Sequence, residues 1–396
     1  MAGVKLPVAP SVLRWARETA GLGLEEAAGL ARRDVAELRA WEAGSERPTL
    51  SAGRDLARIY RRPLAALLLN KPKQTPPLPI DFRTAGGGVT HRLTRETLFA
   101  IRRARRLQSV AADLDAGLGR ELKFPLASRD KTNNPAEVAA DERTRLRIAV
   151  DEQTAWTSTH EALRTWRRRV ENLGSLVLQS PLPLEQVRGF SLSEGGKPTI
   201  VLNVGDTAEA RAFTLFHEYG HLLLGSGGIC VPEQQLARAN LDMVDERFCN
   251  SFAGNLLVPA ETLRSDLDAQ RLAGMDNPGS HPLLSTLANK YRVSRQVMWY
   301  RLFELSFITS KQYREKWAEW AAQSKKPKKA AKSAPKRSAA AKSVSENGLT
   351  FIAEVLEAYD RQLVGLNDAV DWLAIHTKDV PKLQAALERG SSDGDS

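Results

Sequence analysis

Ala208-Glu209-Ala210-Arg211-Ala212-Phe213-Thr214-Leu215-Phe216-His217-Glu218-Tyr219-Gly220-His221-Leu222-Leu223-Leu224 is the most informative stretch of this chain. Ala212, Leu215, Phe216, Leu222 and Leu223 recur at helical spacing. The pattern predicts one amphipathic helix over 208–224, ended by Gly225 and the Gly227-Gly228 pair. His217 and His221 stand four residues apart and so share a helix face. Two imidazoles so placed can grip one Zn²⁺, with Glu218 projecting beside them towards a metal-bound water. Just upstream, Thr199-Ile200-Val201-Leu202-Asn203 reads as a buried strand feeding this helix.

A catalytic zinc site needs a third protein ligand and one open position. The stretch Asp245-Glu246-Arg247-Phe248-Cys249-Asn250 opens a second apolar helix that runs to Val258, before Pro259. Glu246 at its polar start is the expected third ligand, with Asp245 as the competitor. Asn250 lies one turn after Glu246 on the same face, where it can hydrogen-bond a ligand imidazole and fix its tautomer. Cys230 follows nine residues after His221, beyond Gly225-Ser226-Gly227-Gly228. A flexible hinge there would let its thiolate return to the open position as an inhibitory ligand that keeps the site latent. The competing reading makes Cys230 a small packing residue. Tyr219, His281 and Arg211 are the candidates for stabilising an oxyanion.

The run from Arg211 to Pro259, with HEYGHLLL and ERFCNSFAGNLLVP, resembles the ImmA/IrrE family of zinc metallopeptidases. The likeness covers most of 135–310, with Cys249 where the family usually has Ala. It implies a zincin-like domain, zinc held by His217, His221 and Glu246, and Glu218 as general base. It also implies a substrate that is one regulatory protein, often a repressor.

Outside this segment, residues 8–70 predict short helices. They run from Val12 to Ala20, from Leu24 to Ala31, and from an Asp34 cap to about Trp41, with more helix over Leu50 to Leu69. A tight turn at Arg32-Arg33 suggests a helix-turn-helix. Leu38-Arg39-Ala40-Trp41-Glu42-Ala43-Gly44 and Arg47-Pro48-Thr49-Leu50 resemble the XRE (lambda-repressor-like) family. That resemblance implies a third helix in the DNA major groove, with Arg32, Arg33, Asp34, Glu37 and Arg39 as contact candidates. Glu37 and Glu42 speak against it, since phosphates repel them. A protein-docking module is the alternative.

The net charge of +10 is concentrated. Residues 323–344 hold eight Lys/Arg and no acid, which leaves 10 − 8 = +2 for the remainder. That Ala/Lys/Ser/Pro tract reads as a disordered linker with sequence-independent affinity for nucleic acid, or simply as a solubilising tether. Arg102, Arg103, Arg105 and Arg106 form a second basic cluster on a helix expected over 93–118. No apolar run is long enough to span a membrane, and the N-terminus lacks a signal-peptide core. With only two cysteines, the expected setting is a reducing cytoplasm.

The expected fold is therefore α+β and mainly α, with an N-terminal helix-turn-helix bundle. The expected division is 1–70 helix-turn-helix, 71–134 connector and basic helix, 135–322 metallopeptidase with a small sheet, 323–345 linker, and 346–396 small helical unit. That last unit is expected to dock on the peptidase or to pair in a homodimer. The combined reading is a DNA-associated zinc endopeptidase that cleaves a repressor-type protein in a stress, phage or mobile-element response. The competing reading is a transcription regulator or antitoxin whose zinc domain senses or scaffolds without cutting.

Overall fold

A computed structural model describes residues 4–74, 80–81, 93–120, 129–226, 228–230, 243–324 and 337–392. The chain divides into two compact units, Met1–Leu78 with Thr90–Arg103, and Pro79–Val89 with Ala104–Ser396. It is mainly helical with one small sheet, as the sequence predicts.

The first unit is a helical bundle of α1 (Pro10–Glu18), α2 (Leu24–Ala31), α3 (Val35–Ala43), α4 (Leu50–Ile59) and the short α5 (Leu64–Leu67). Each boundary has a local cause. Arg32 takes a left-handed conformation (φ 52°) that stops α2. Asp34 then caps α3 by accepting from the Ala36 amide at 3.0 Å. Gly44, at φ 81°, ends α3. Leu13, Ala16, Ala27, Leu38, Trp41 and Leu56 form the core. Glu42 belongs to this core rather than to the outer surface. Arg17 donates to both of its oxygens, at 2.7 and 2.9 Å, so its charge is paired inside the bundle, while Glu37 is exposed. The helix α6 (Arg95–Gly117) begins in this unit, where Arg102 donates to the carbonyls of Tyr60 and Arg61. That member of the basic cluster is structural.

The second unit is built on a five-stranded sheet, ordered β1 (Ile80–Asp81), β5 (Gly228–Cys230), β3 (Gly189–Leu192), β4 (Thr199–Asn203), β2 (Leu176–Ser180). β2 and β4 are parallel in the register Leu176↔Thr199, while β3 runs antiparallel to both β4 and β5. β4 is buried along its whole length. Before the sheet come α7 (Pro135–Leu146), α8 (Val150–Ala155) and α9 (Thr159–Asn172). The two motif helices are α10 (Ala208–Leu223) and α11 (Met243–Leu257). The short α12 (Ala260–Ser265) and α13 (Leu267–Ala273) follow, then α14 (Pro282–Lys290), α15 (Arg295–Glu304) and α16 (Ser310–Ser324).

α10 packs on β3 and β4 and lies against both α9 and α11. It is therefore buried on nearly every side, and the single apolar face expected from its sequence is a correction the structure makes. Trp166 of α9 meets Phe216 edge-on at 4.9 Å and Trp156 at 5.2 Å, which fixes the outer face of α10.

The C-terminal helices are α17 (Ala339–Asn347), α18 (Leu349–Asp360), α19 (Leu366–Trp372) and α20 (Val380–Ser392). The end of the tract expected to be a disordered linker is thus folded. Ser338 caps α17 through the Ala341 amide, and Ala340, Ser343 and Asn347 are buried. Its Ala-rich composition supplies helix propensity, and packing beside β2 supplies the rest. Lys325 to Lys336 lie outside the described residues.

Candidate metal centre

Three donors converge between α10 and α11. His217 Nε2 and His221 Nε2 are 3.2 Å apart. Glu246 Oε1 lies 3.1 Å from His221 Nε2, and Oε2 lies 3.4 Å from His217 Nε2. A tetrahedron with Zn–ligand distances of ~2.0–2.1 Å has edges of roughly 3.3–3.4 Å. The triangle has the size that one such ion needs, and all three side chains are buried. Asp245, the competing ligand, is not in the cluster and faces Lys131 at 3.9 Å.

The elements that carry these donors are held by unusual means. Gly220, inside the motif, lets the two helices touch. A Cβ there would stand 3.1 Å from Cys249 Sγ and 3.3 Å from Cys249 Cα. Cys249 is buried at the crossing, with its sulfur near His221. Gly189 does the same beneath α10, since its Cβ would meet Thr214 Cγ2 at 2.6 Å and the Val201 carbonyl at 2.8 Å.

The buried C-terminus of α11 exposes carbonyls that no helix bond can satisfy. Side chains from three other elements take them. Arg143 donates to Leu256 O at 2.7 Å, Gln153 to Leu257 O at 2.8 Å, and Arg301 to Val258 O at 3.0 Å. Arg143, Gln153 and Arg301 are buried, and the sequence reading passed over them because mid-helix Arg and Gln look like solvated surface. No local pattern marks them. Only the tertiary need of a buried helix end does.

Asn250 lies where it was expected, with Oδ1 3.0 Å from His217 Nδ1. An amide oxygen only accepts, so Nδ1 carries the proton and Nε2 keeps its lone pair for a metal. His221 Nδ1 stands 3.4 Å from Ser226 Oγ. Electrostatics within the site are strong. Burial alone would raise Glu246, but His217 and His221 hold its carboxyl well below the usual range. Burial pulls His221 down, and Cys249 and Glu246 more than reverse this, pushing it up to about 10. Glu218 is raised by burial, against the pull of His221 and His217. Both of its oxygens are buried, with the Ser191 hydroxyl near them lowering it slightly.

Cys230 has its backbone in β5, paired with Gly189. Its side chain lies outside the described residues. Gly228, expected to be part of a hinge, is a strand residue. Of the oxyanion candidates, Tyr219 donates to Glu142 in the core at 2.7 Å, and Arg211 donates to Gln179. His281 is exposed and caps α14. Arg32 and Arg39 are exposed and Arg33 partly so, on α3 and the turn before it.

Residues 170–303 match the family model Peptidase_M78, described as the IrrE N-terminal-like domain. That span takes in β2 to β4, both helices that carry the candidate metal donors and most of α15, and stops short of the N-terminal helices. It supports a metallopeptidase of the IrrE/ImmA type over this segment. Neither curated proteins nor solved structures gave a match.

Proposed function

We propose that the chain is a zinc-dependent endopeptidase that cuts a regulatory protein, a transcriptional repressor being the expected substrate. One observation carries this reading. Glu218 is a fully buried carboxylate with the Ser191 hydroxyl beside it, next to three converging metal donors. A buried acceptor left unmade costs about 1–3 kcal/mol, and more when charged. One hydroxyl does not meet the needs of a buried carboxylate, and a general base beside metal donors has reason to lack further fixed partners.

His217, His221 and Glu246 would hold the ion, and Asn250 orients His217. Bound zinc supplies a Lewis acid and a water of lowered pKa. Glu218 accepts the proton of the attacking water and returns it to the leaving amine nitrogen. Burial favours its neutral form, which suits the second transfer.

Arg32, Arg33 and Arg39 are read as phosphate contacts of an XRE-type domain. What supports this is the three-residue turn between α2 and α3, and a pocket on the same unit where Arg32 and Arg33 stand beside the Arg58–Asp55 ion pair. Such a domain would bring the enzyme to DNA where a repressor sits.

The test is co-expression with candidate repressors, followed by intact-mass analysis. Wild type should yield two fragments of one repressor. Glu218→Gln should yield none while keeping its zinc. A Glu218→Gln variant with full cellular function would leave only the non-cutting regulator.

A further inference from the structure

A second pocket lies away from the metal donors, between α9, β2, the start of α10, and the C-terminal helices α17 and α18. Its volume is about 260 Å³. One face of α9 lines it, with Arg164, Arg167, Arg168 and Glu171 at helical spacing. Arg211 comes from the metal helix and Arg337 from the segment before α17. Five arginines thus meet a single glutamate.

That glutamate is already committed. Glu171 accepts from Arg167 Nε at 2.9 Å and from the Thr350 hydroxyl at 2.7 Å. Arg167 also donates to Ser345 O at 2.8 Å and to Val177 O. Among the described residues, Arg164, Arg168, Arg211 and Arg337 have no carboxylate within ion-pair distance. Arg211 is held below its usual range by burial; Asp206 and Glu209 pull it upward, and the positive charges of Arg337 and Arg167 pull it down. Like charges crowded into a pocket are destabilising unless an anion enters.

The helix α18 adds a second, independent feature. Its N-cap is Gly348, which offers no side-chain cap, and its first residues Leu349 and Thr350 line the pocket. The first turn and the positive dipole end of a twelve-residue helix therefore lie beside the guanidiniums, with the Glu171 carboxylate at the same end. Gly348 is required there. A Cβ would meet Glu171 Oε1 at 2.5 Å and Arg167 Nη2 at 2.6 Å, and φ is +82°.

We propose that this pocket binds a small, multiply charged phosphate compound, and that the bound anion ties the C-terminal helices to the metal helix. At about 260 Å³ it falls just below the ~300–1,000 Å³ range of drug-sized ligand pockets, so it suits pyrophosphate or a sugar phosphate better than a larger cofactor. A duplex backbone presents phosphates along a ridge, whereas this floor of Arg167, Glu171 and Gln179 is recessed and buried.

The experiment uses the full-length zinc-loaded chain. Pyrophosphate, inorganic phosphate, ADP and a 20-bp duplex are each titrated by calorimetry and by thermal melting, with KCl matched for ionic strength. Pyrophosphate or ADP should raise the melting temperature beyond the KCl control, and their ranking identifies whether a bare phosphate or its ester is preferred. Arg164→Ala/Arg168→Ala should weaken binding about tenfold or more with zinc content unchanged, since neither side chain holds the fold. Arg337→Glu should raise the melting temperature without ligand and abolish the pyrophosphate response. Equal shifts from KCl, or unchanged affinity in both variants, would overturn the proposal. So would duplex binding that pyrophosphate does not displace. None of these readouts depends on proteolysis.

Discussion

The residue scale decides the chemistry. The i, i+4 histidine pair was legible because a helix forces those positions onto one face. Glu246 and Asn250 were legible by the same geometry on the next helix, and the structure brings His217, His221 and Glu246 within 4.8 Å of one another. What no local pattern conveys is how strongly these buried groups shift one another. His221 is pushed up to about 10, so at neutral pH an incoming ion must displace its proton. Apparent zinc affinity should therefore fall as pH falls, by about tenfold per unit for one displaced proton. Competition titrations against a chelator at pH 6, 7 and 8 measure this. A flat profile would mean that the proton is not there to displace. Asn250→Ala frees the His217 tautomer and should cost about 10–100-fold in zinc affinity with the fold intact. Retention of wild-type affinity would make Asn250 a bystander.

At the scale of elements, the helices were predicted more accurately than their surroundings. Leu24–Ala31 and Ala208–Leu223 lie almost where periodicity places them, because caps and glycines mark their ends. The strands β1 and β5 were missed. They are two and three residues long, and the partners that make them strands are distant in sequence. The clamps on α11 were invisible for the same reason. Arg143 donates to Leu256 O, Gln153 Oε1 and Ile148 O, so Arg143→Met would strand several buried acceptors at once. Each unmade bond costs about 1–3 kcal/mol, so this variant should lose at least about 2 kcal/mol in urea unfolding. Gly220→Val acts on the helix crossing instead. It forces α10 from Cys249 and Phe252, and overpacking of this kind costs about 1–3 kcal/mol. Because the donors sit on those two helices, Gly220→Val should also weaken zinc binding, whereas Arg143→Met at low temperature should spare it. Equal zinc affinity in Gly220→Val and wild type would show that the crossing does not set the donor triangle.

For the whole molecule, the division of labour follows from where charge and metal donors lie. The donors are all in the second unit, and Arg32, Arg33 and Arg39 are all in the first. Composition located the excess charge but not its use. Of the basic cluster on α6, Arg102 is spent on the Tyr60 and Arg61 carbonyls and Arg106 on Asp371 at 2.5 Å. Glu42, which seemed to oppose DNA from sequence, is neutralised by Arg17 inside the bundle. If the first unit docks on duplex DNA, each arginine at a phosphate releases counterions, and log K falls with log salt by about 0.9 per contact. The triple variant Arg32→Ala/Arg33→Ala/Arg39→Ala should then reduce that slope by about 2.7 and weaken binding at low salt, while zinc content stays the same. Glu218→Gln, whose change is confined to the other unit, should keep the full slope. Fluorescence anisotropy on a labelled duplex from 50 to 200 mM KCl measures all three proteins. An unchanged slope in the triple variant would remove these arginines from the DNA contact, and the bundle would then be a docking module for the protein substrate.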